Sequence, residues 1–176
     1  MSGFSTSANA GGGAPAVFLI FSSVAATCQS ATAATIFELA CETDFVAKND
    51  KFIALAAEVG AALADSGAET LEAALAVVAG AGTVGSLVED TAAILGEKIE
   101  LRRITRIPGE HFAIYLHQTS KGLPPQIGVV VAYEGSDAET ARSIAQHISF
   151  ADPQYLARED VPADAVETER RIVEEI

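Results

Sequence analysis

"TIFELACETDFVAKNDKF", Thr35 to Phe52, contains the change of period on which the fold turns. Its first seven residues alternate, with Ile36, Glu38 and Ala40 on one side and Phe37, Leu39 and Cys41 on the other; a period of two is that of a half-buried strand. Thr43 or Asp44 then supplies a side-chain oxygen for the first free amides of a helix. An apolar series at helical spacing runs on to about Ala64, where "DSG" (Asp65 to Gly67) stops it. At about 100° per residue, Phe45 falls near the middle of the arc shared by Phe52, Ala56, Val59 and Leu63. Lys48 and Asn49 flank that direction and Asp44 precedes it, so burying the ring draws polar groups out of water at about 1 kcal/mol or more each. Two readings of Phe45 therefore stand: a core residue, or an exposed aromatic turned toward a partner.

Downstream, helical spacing recurs over Thr70 to Val78 and Val84 to Ile94, separated by "AGAGT". Three strand-like stretches follow, "EKIELRRITRI" (from Glu97), "EHFAIYLHQT" (from Glu110) and "QIGVVVAYEG" (from Gln126), and Pro108 and Gly109 predict a hairpin between the first two. Asp137 is placed to cap a helix reaching about Phe150. Its buried arc takes Ala141, Ile144, Ala145 and Ile148 and leaves His147 at the edge. Pro162 suits the first turn of a final helix.

Upstream, the first 37 residues contain no Asp, Glu, Lys or Arg. A secretory signal would open with basic residues, and a membrane span needs about 20 apolar ones, whereas this run is broken by Ser22 and Ser23. The expectation is a leader that is disordered before Ala14, then a short strand near Val17 to Phe21 packed on the domain. The elements predict an α/β (α+β) fold with a small, mostly antiparallel sheet of three to four strands flanked by helices. The division expected is an uncharged leader over 1–34, a core subdomain over 35–161, and the start of a C-terminal helix over 162–176.

With 176 residues, 49% hydrophobic and 20% charged, the chain has the composition of a folded protein with its own core. The 24 acidic and 11 basic residues give a net charge of -13, which repels phosphate backbones, so no direct nucleic-acid partner is expected. Arg102, Arg103 and Arg106 form the one basic cluster; strand alternation splits them between two faces, where they pair with the acidic excess. Cys28 and Cys41 make no spaced framework and fit a reducing, cytoplasmic setting. No membrane association is expected.

Self-contained chemistry finds no support either. The sequence has no phosphate-binding loop with Lys and Ser/Thr, no GxGxxG and no GxSxG. His111, His117 and His147 lack metal-site spacing, so neither catalytic residues nor a metal or cofactor is expected. Glu42 and Asp44 could be cast as an acid/base pair, but no basic or polar residues accompany them in a pocket-like pattern.

Five blocks in order carry a resemblance: "CETDFVAKND", "LGEKIELRR", "LPPQIGVVVAYEG", "IAQHISFADPQYLAREDVP" and "ERRIVEE". Over roughly Ile36 to Ile176 the chain resembles the core portion of elongation factor Ts, the guanine nucleotide exchange factor for elongation factor Tu. The resemblance implies no covalent chemistry. It implies a partner-binding wedge at Thr43, Asp44, Phe45 and Val46, with Asp44 and Phe45 entering the nucleotide domain of elongation factor Tu beside its Mg²⁺ and phosphate site so that GDP leaves. It implies a secondary contact at His147, and binding to both GDP-bound and nucleotide-free partner, with affinities linked by one coupling factor. The family normally opens with a small helical module, whose place the uncharged leader takes here, and continues past the equivalent of Ile176 into a second subdomain. A rival expectation follows: a truncated, binding-only module that docks on elongation factor Tu, or on itself, without efficient exchange.

Overall fold

The computed structural model describes residues 16–20, 24–30, 32–153, 155 and 158–174. Strands β1 (Ala16–Ile20) and β2 (Val24–Gln29) precede β3 (Ala33–Ala40), which sets Thr35, Ile36 and Phe37 in a row, side chains that suit a pleated surface. The strand expected near Val17 is thus β1; the expectation of disorder before Ala14 lies outside the described residues. After β3, Thr43 caps a single helical turn, α1 (Asp44–Ala47), by accepting from the Val46 amide. Asn49 then takes an extended conformation, φ -72° and ψ 133°, and its side chain accepts from the Lys51 amide to start α2 (Asp50–Ala64). The single helix expected from Thr43 or Asp44 to Ala64 is therefore two, because an Asx cap in mid-run restarts the hydrogen-bond ladder.

Thr70 caps α3 (Leu71–Ala76), which ends sooner than Val78 because Val78 joins a small ribbon, β4 (Val78–Ala79) with β5 (Gly82–Thr83). Thr83 and Ser86 exchange hydrogen bonds in a capping box at the head of α4 (Val84–Leu95). Strands β6 (Glu100–Pro108), β7 (His111–His117) and β8 (Ile127–Tyr133) follow, then α5 (Ala138–Ala151), capped as expected by Asp137, and α6 (Ala163–Glu174), directly after Pro162. Among the described residues no helix is long and apolar enough to cross a membrane.

The class is the expected α+β, and all strand pairing among the described residues is antiparallel. The larger strands fall into two three-stranded sheets, β2-β3-β6 and β1-β8-β7. Helices α2, α3 and α4 lie over the first sheet, where Phe52, Leu55, Val59 and Leu63 of α2 enter one buried cluster with Phe37 and Leu39. The second sheet lies on its other face, with Ala34, Ile36 and Ile107 meeting Val130 and Ala132. Helix α5 closes the far side, setting Ala141 and Ala145 against Ala113, Val129 and Val131. Ile144, expected in that buried arc, is 45% exposed, because the small residues Ala141 and Ala145 form the contact line instead. Helix α6 buries none of its side chains.

Two expectations about the strands change. β6 and β7 do not form a hairpin: β6 pairs with β3 and β7 with β8. Pro108 and Gly109 make a corner between sheets instead. The Gly109 amide donates to the Thr32 carbonyl, and a Cβ at Gly109 would meet the edge of the Phe112 ring at 2.9 Å and Ala132 at 3.2 Å, so any larger residue would have to push that ring aside. β3 is not half-buried, since all eight of its residues are buried between helices on one face and the second sheet on the other.

That double burial includes Glu38, 1% exposed, and a bulge explains how it is satisfied. Glu38 registers with Arg103 while Leu39 registers with Leu101, so Arg102 is an extra residue in β6. A bulge opposes two residues to one, and both guanidiniums reach the same carboxylate, Arg103 Nε donating at 2.6 Å and Arg102 Nη1 lying 3.8 Å away. Ion pairing is as expected for these two, but the bulge removes the split between faces.

Candidate functional site

The site begins where β3 ends. Helix α1 is one turn long, and its residues divide cleanly: Val46 and Ala47 are 7% exposed and belong to the helix-side core, whereas Phe45 is 88% exposed. The break at Asn49 causes this, because it frees α1 from the phase of α2 and cancels the shared arc with Phe52. The core reading of Phe45 is thereby set aside. Asp44 is exposed beside it in the first turn, where the unpaired amides of a helix start favour a carboxylate.

Thr43 is committed internally. Its amide donates to Glu97 Oε2 at 3.1 Å and its hydroxyl donates to Glu97 Oε1 at 2.7 Å, while the hydroxyl oxygen accepts from the Val46 amide at 3.4 Å. In return the Lys98 amide donates to Glu42 Oε2 at 3.3 Å. Glu97 reaches this position because Gly96, at φ 74°, ends α4 in a left-handed turn whose amide donates to the Ala92 carbonyl. Two groups beside this crossing, Cys41 and Glu100, are shifted by their surroundings. The Cys41 thiol is pushed up, first by burial and next by the charge of Glu97, so it stays protonated; its Sγ donates to the Thr43 carbonyl at 3.4 Å. Glu100 is held below the usual carboxylate range chiefly by its hydrogen bond from Lys98, 2.7 Å away.

The sequence-derived site residues therefore separate by role. Asp44 and Phe45 face outward together, Thr43 ties the turn to the α4 to β6 connection, and Val46 anchors it in the core. His147 is exposed on α5, whose buried residues belong to the other cluster, on the outer face of the second sheet. Sequence reasoning missed two features. Phe150, one turn beyond His147, is 93% exposed, a signal hidden because its spacing suits the end of an amphipathic helix. The Glu42 and Glu97 crossing joins residues more than 50 positions apart and has no local signature.

A cleft of about 400 Å³ lies at the sheet corner, lined by Pro108, Glu110, His111, Tyr133 and Glu134, and none of Asp44, Phe45 or His147 enters it. Among the described residues no group of three or more His, Cys, Asp or Glu side chains is gathered as metal ligands would be. What the site offers is a rigidly footed, exposed aromatic next to a carboxylate.

Comparison with known proteins identifies the family. Residues 42–176, which begin at Glu42 and take in every element from α1 to α6, match the family model described as Elongation factor TS. Elongation factor Ts of Clavibacter michiganensis subsp. michiganensis is 68% identical over 153 residues, covering 87% of this chain and 55% of that protein. That of Clavibacter sepedonicus is 70% identical over 144 residues, 82% of this chain and 52% of its own. Elongation factor Ts of Streptomyces griseus subsp. griseus is 49% identical over 148 residues, 84% and 53% respectively. The chain spans about half the length of these relatives. A match of this extent and identity, over the very residues that build the α1 turn and its supports, places the chain in the elongation factor Ts family.

Proposed function

We propose that this chain is a guanine nucleotide exchange module acting on elongation factor Tu in the cytoplasm, with Asp44 and Phe45 wedging beside the partner's Mg²⁺ and phosphate site so that GDP is released. The observation that carries this reading is the 88% exposure of Phe45 on a turn otherwise fixed to the core. An aromatic left in water costs the free protein the burial it would gain elsewhere, and a central aromatic anchor on a rigid footing is what a protein partner uses. Exchange then needs only linkage: a module that binds nucleotide-free partner more tightly than GDP-bound partner weakens GDP binding by the same factor. His147, with the exposed Phe150 one turn on, supplies a second patch for the same partner.

Asp44 gives the test. Asp44→Asn leaves the Thr43 cap in place and removes only the charge, so GDP release from elongation factor Tu should slow several-fold while the melting temperature falls by no more than about 2 to 3 °C, the small helix-start contribution of the carboxylate. Equal release rates for the two proteins would remove the carboxylate from the exchange step.

A further inference from the structure

Phe45 has almost nothing of its own to hold it. Its ring is exposed, and α1 is a single turn, too short to persist alone because nucleation fixes several residues for one hydrogen bond. Burial of Val46 and Ala47 fixes one side of the turn. On its N-terminal side two carboxylates cross between the same two segments: Glu97 accepts from the amide and hydroxyl of Thr43, and Glu42 accepts from the amide of Lys98. The Thr43 hydroxyl has one proton, and giving it to Glu97 leaves a lone pair for the Val46 amide, so the cap of α1 takes its orientation from Glu97.

We propose that Glu97 is a positioning residue for Phe45: acting through Thr43, it fixes the α1 turn in the free protein, so the ring meets its partner already placed. Ordering a loose segment on binding costs affinity, and a segment ordered beforehand avoids that cost. Glu97 itself need touch no partner for this. The consequence for exchange rests on the reading of Phe45 as partner-facing; the consequence for the ring's mobility does not.

The chain has no tryptophan, so Phe45→Trp installs a single indole fluorophore on the turn. In that background Glu97→Ala should at least double the fast, local part of the fluorescence anisotropy decay while the melting temperature moves by less than about 2 °C. Glu97→Gln, whose amide oxygen still accepts one bond from Thr43, should restore part of the rigidity. In the chain that keeps Phe45, Glu97→Ala should raise the concentration giving half-maximal release of a fluorescent GDP analogue from elongation factor Tu about tenfold, with Glu97→Gln in between. An indole as rigid in Glu97→Ala as in the parent overturns the proposal, and so does a loosened indole with unchanged exchange. If the parent chain releases no nucleotide at all, the partner reading fails instead, and the anisotropy alone decides whether Glu97 holds the turn.

Discussion

Replacing Phe45 by alanine separates the two roles an aromatic can play. A fully buried phenylalanine loses about 3 to 5 kcal/mol on truncation to alanine. Phe45 is 88% exposed, so roughly an eighth of that, about 0.5 kcal/mol, is at stake in the free protein, and the better helix propensity of alanine offsets a similar amount. The expected change in stability is near zero, and the melting temperature should hold within about 2 °C. At the partner the balance reverses. A phenylalanine ring offers on the order of 150 Å² or more, worth roughly 4 kcal/mol at about 25 cal/mol per Å², of which about half survives the costs of association. Affinity for elongation factor Tu should therefore fall by about 2 kcal/mol, near 30-fold. Thermal unfolding and titration against elongation factor Tu, run on Phe45→Ala beside Phe52→Ala, give the contrast, because Phe52 is 0% exposed and its loss should cost about 3 kcal/mol or more of stability. Loss of stability in Phe45→Ala comparable to that in Phe52→Ala would refute the structural reasoning, and unchanged affinity would refute the functional reasoning.

The remaining expectations concern the supports of the fold and the site. Arg103→Met removes the shorter of the two ion pairs described for the buried Glu38 carboxylate and leaves the more distant Arg102, so urea unfolding should show a loss of about 3 kcal/mol or more, against less than about 1 kcal/mol for the half-exposed Arg102 in Arg102→Met; equal losses would contradict the bulge geometry. The Asp137 carboxyl is held below its ordinary 3.8 chiefly by the Thr140 amide. The stability advantage of the native protein over Asp137→Asn should therefore be constant above that value and shrink as pH falls through the lower folded value; a gap that stays level in melting scans down to acid pH would remove the charge from the cap. Cys41, in a Cys28→Ser background, should alkylate slowly at neutral pH and faster in Glu97→Gln, since the Glu97 charge helps to keep the thiol protonated; an unchanged iodoacetamide rate would place the two groups out of contact.

Local chemistry was legible and long-range pairing was not. Asp137 could be placed from sequence, and Thr43 as one of two candidates with Asp44, because a cap is made by residues within three or four positions of one another; Pro162 reads one position too far in, since α6 starts at Ala163. The Asn49 cap was equally local, but a helical wheel assumes one unbroken helix, so it carried Phe45 into the phase of Phe52 when the chain had already restarted. Pro108 and Gly109 have the composition of a hairpin turn. What makes them a corner is the pairing of β6 with β3, some 65 residues earlier, where Arg103 meets Glu38. β3 reads as half-buried for the same reason: its alternation reports residue types, and the second cover comes from β8, more than 80 residues later. The tie between Thr43 and Glu97 spans 54 positions and depends on where Gly96 turns the backbone, which no window of sequence around Thr43 contains.

In the function proposed above, this 176-residue chain by itself drives nucleotide release through the α1 turn. Stopped-flow release of a fluorescent GDP analogue from elongation factor Tu, measured against rising concentrations of the chain, tests it most directly. The release rate should climb with concentration to a plateau well above the spontaneous rate. A rate that stays at the spontaneous value while binding saturates would contradict it and identify a module that docks without exchange.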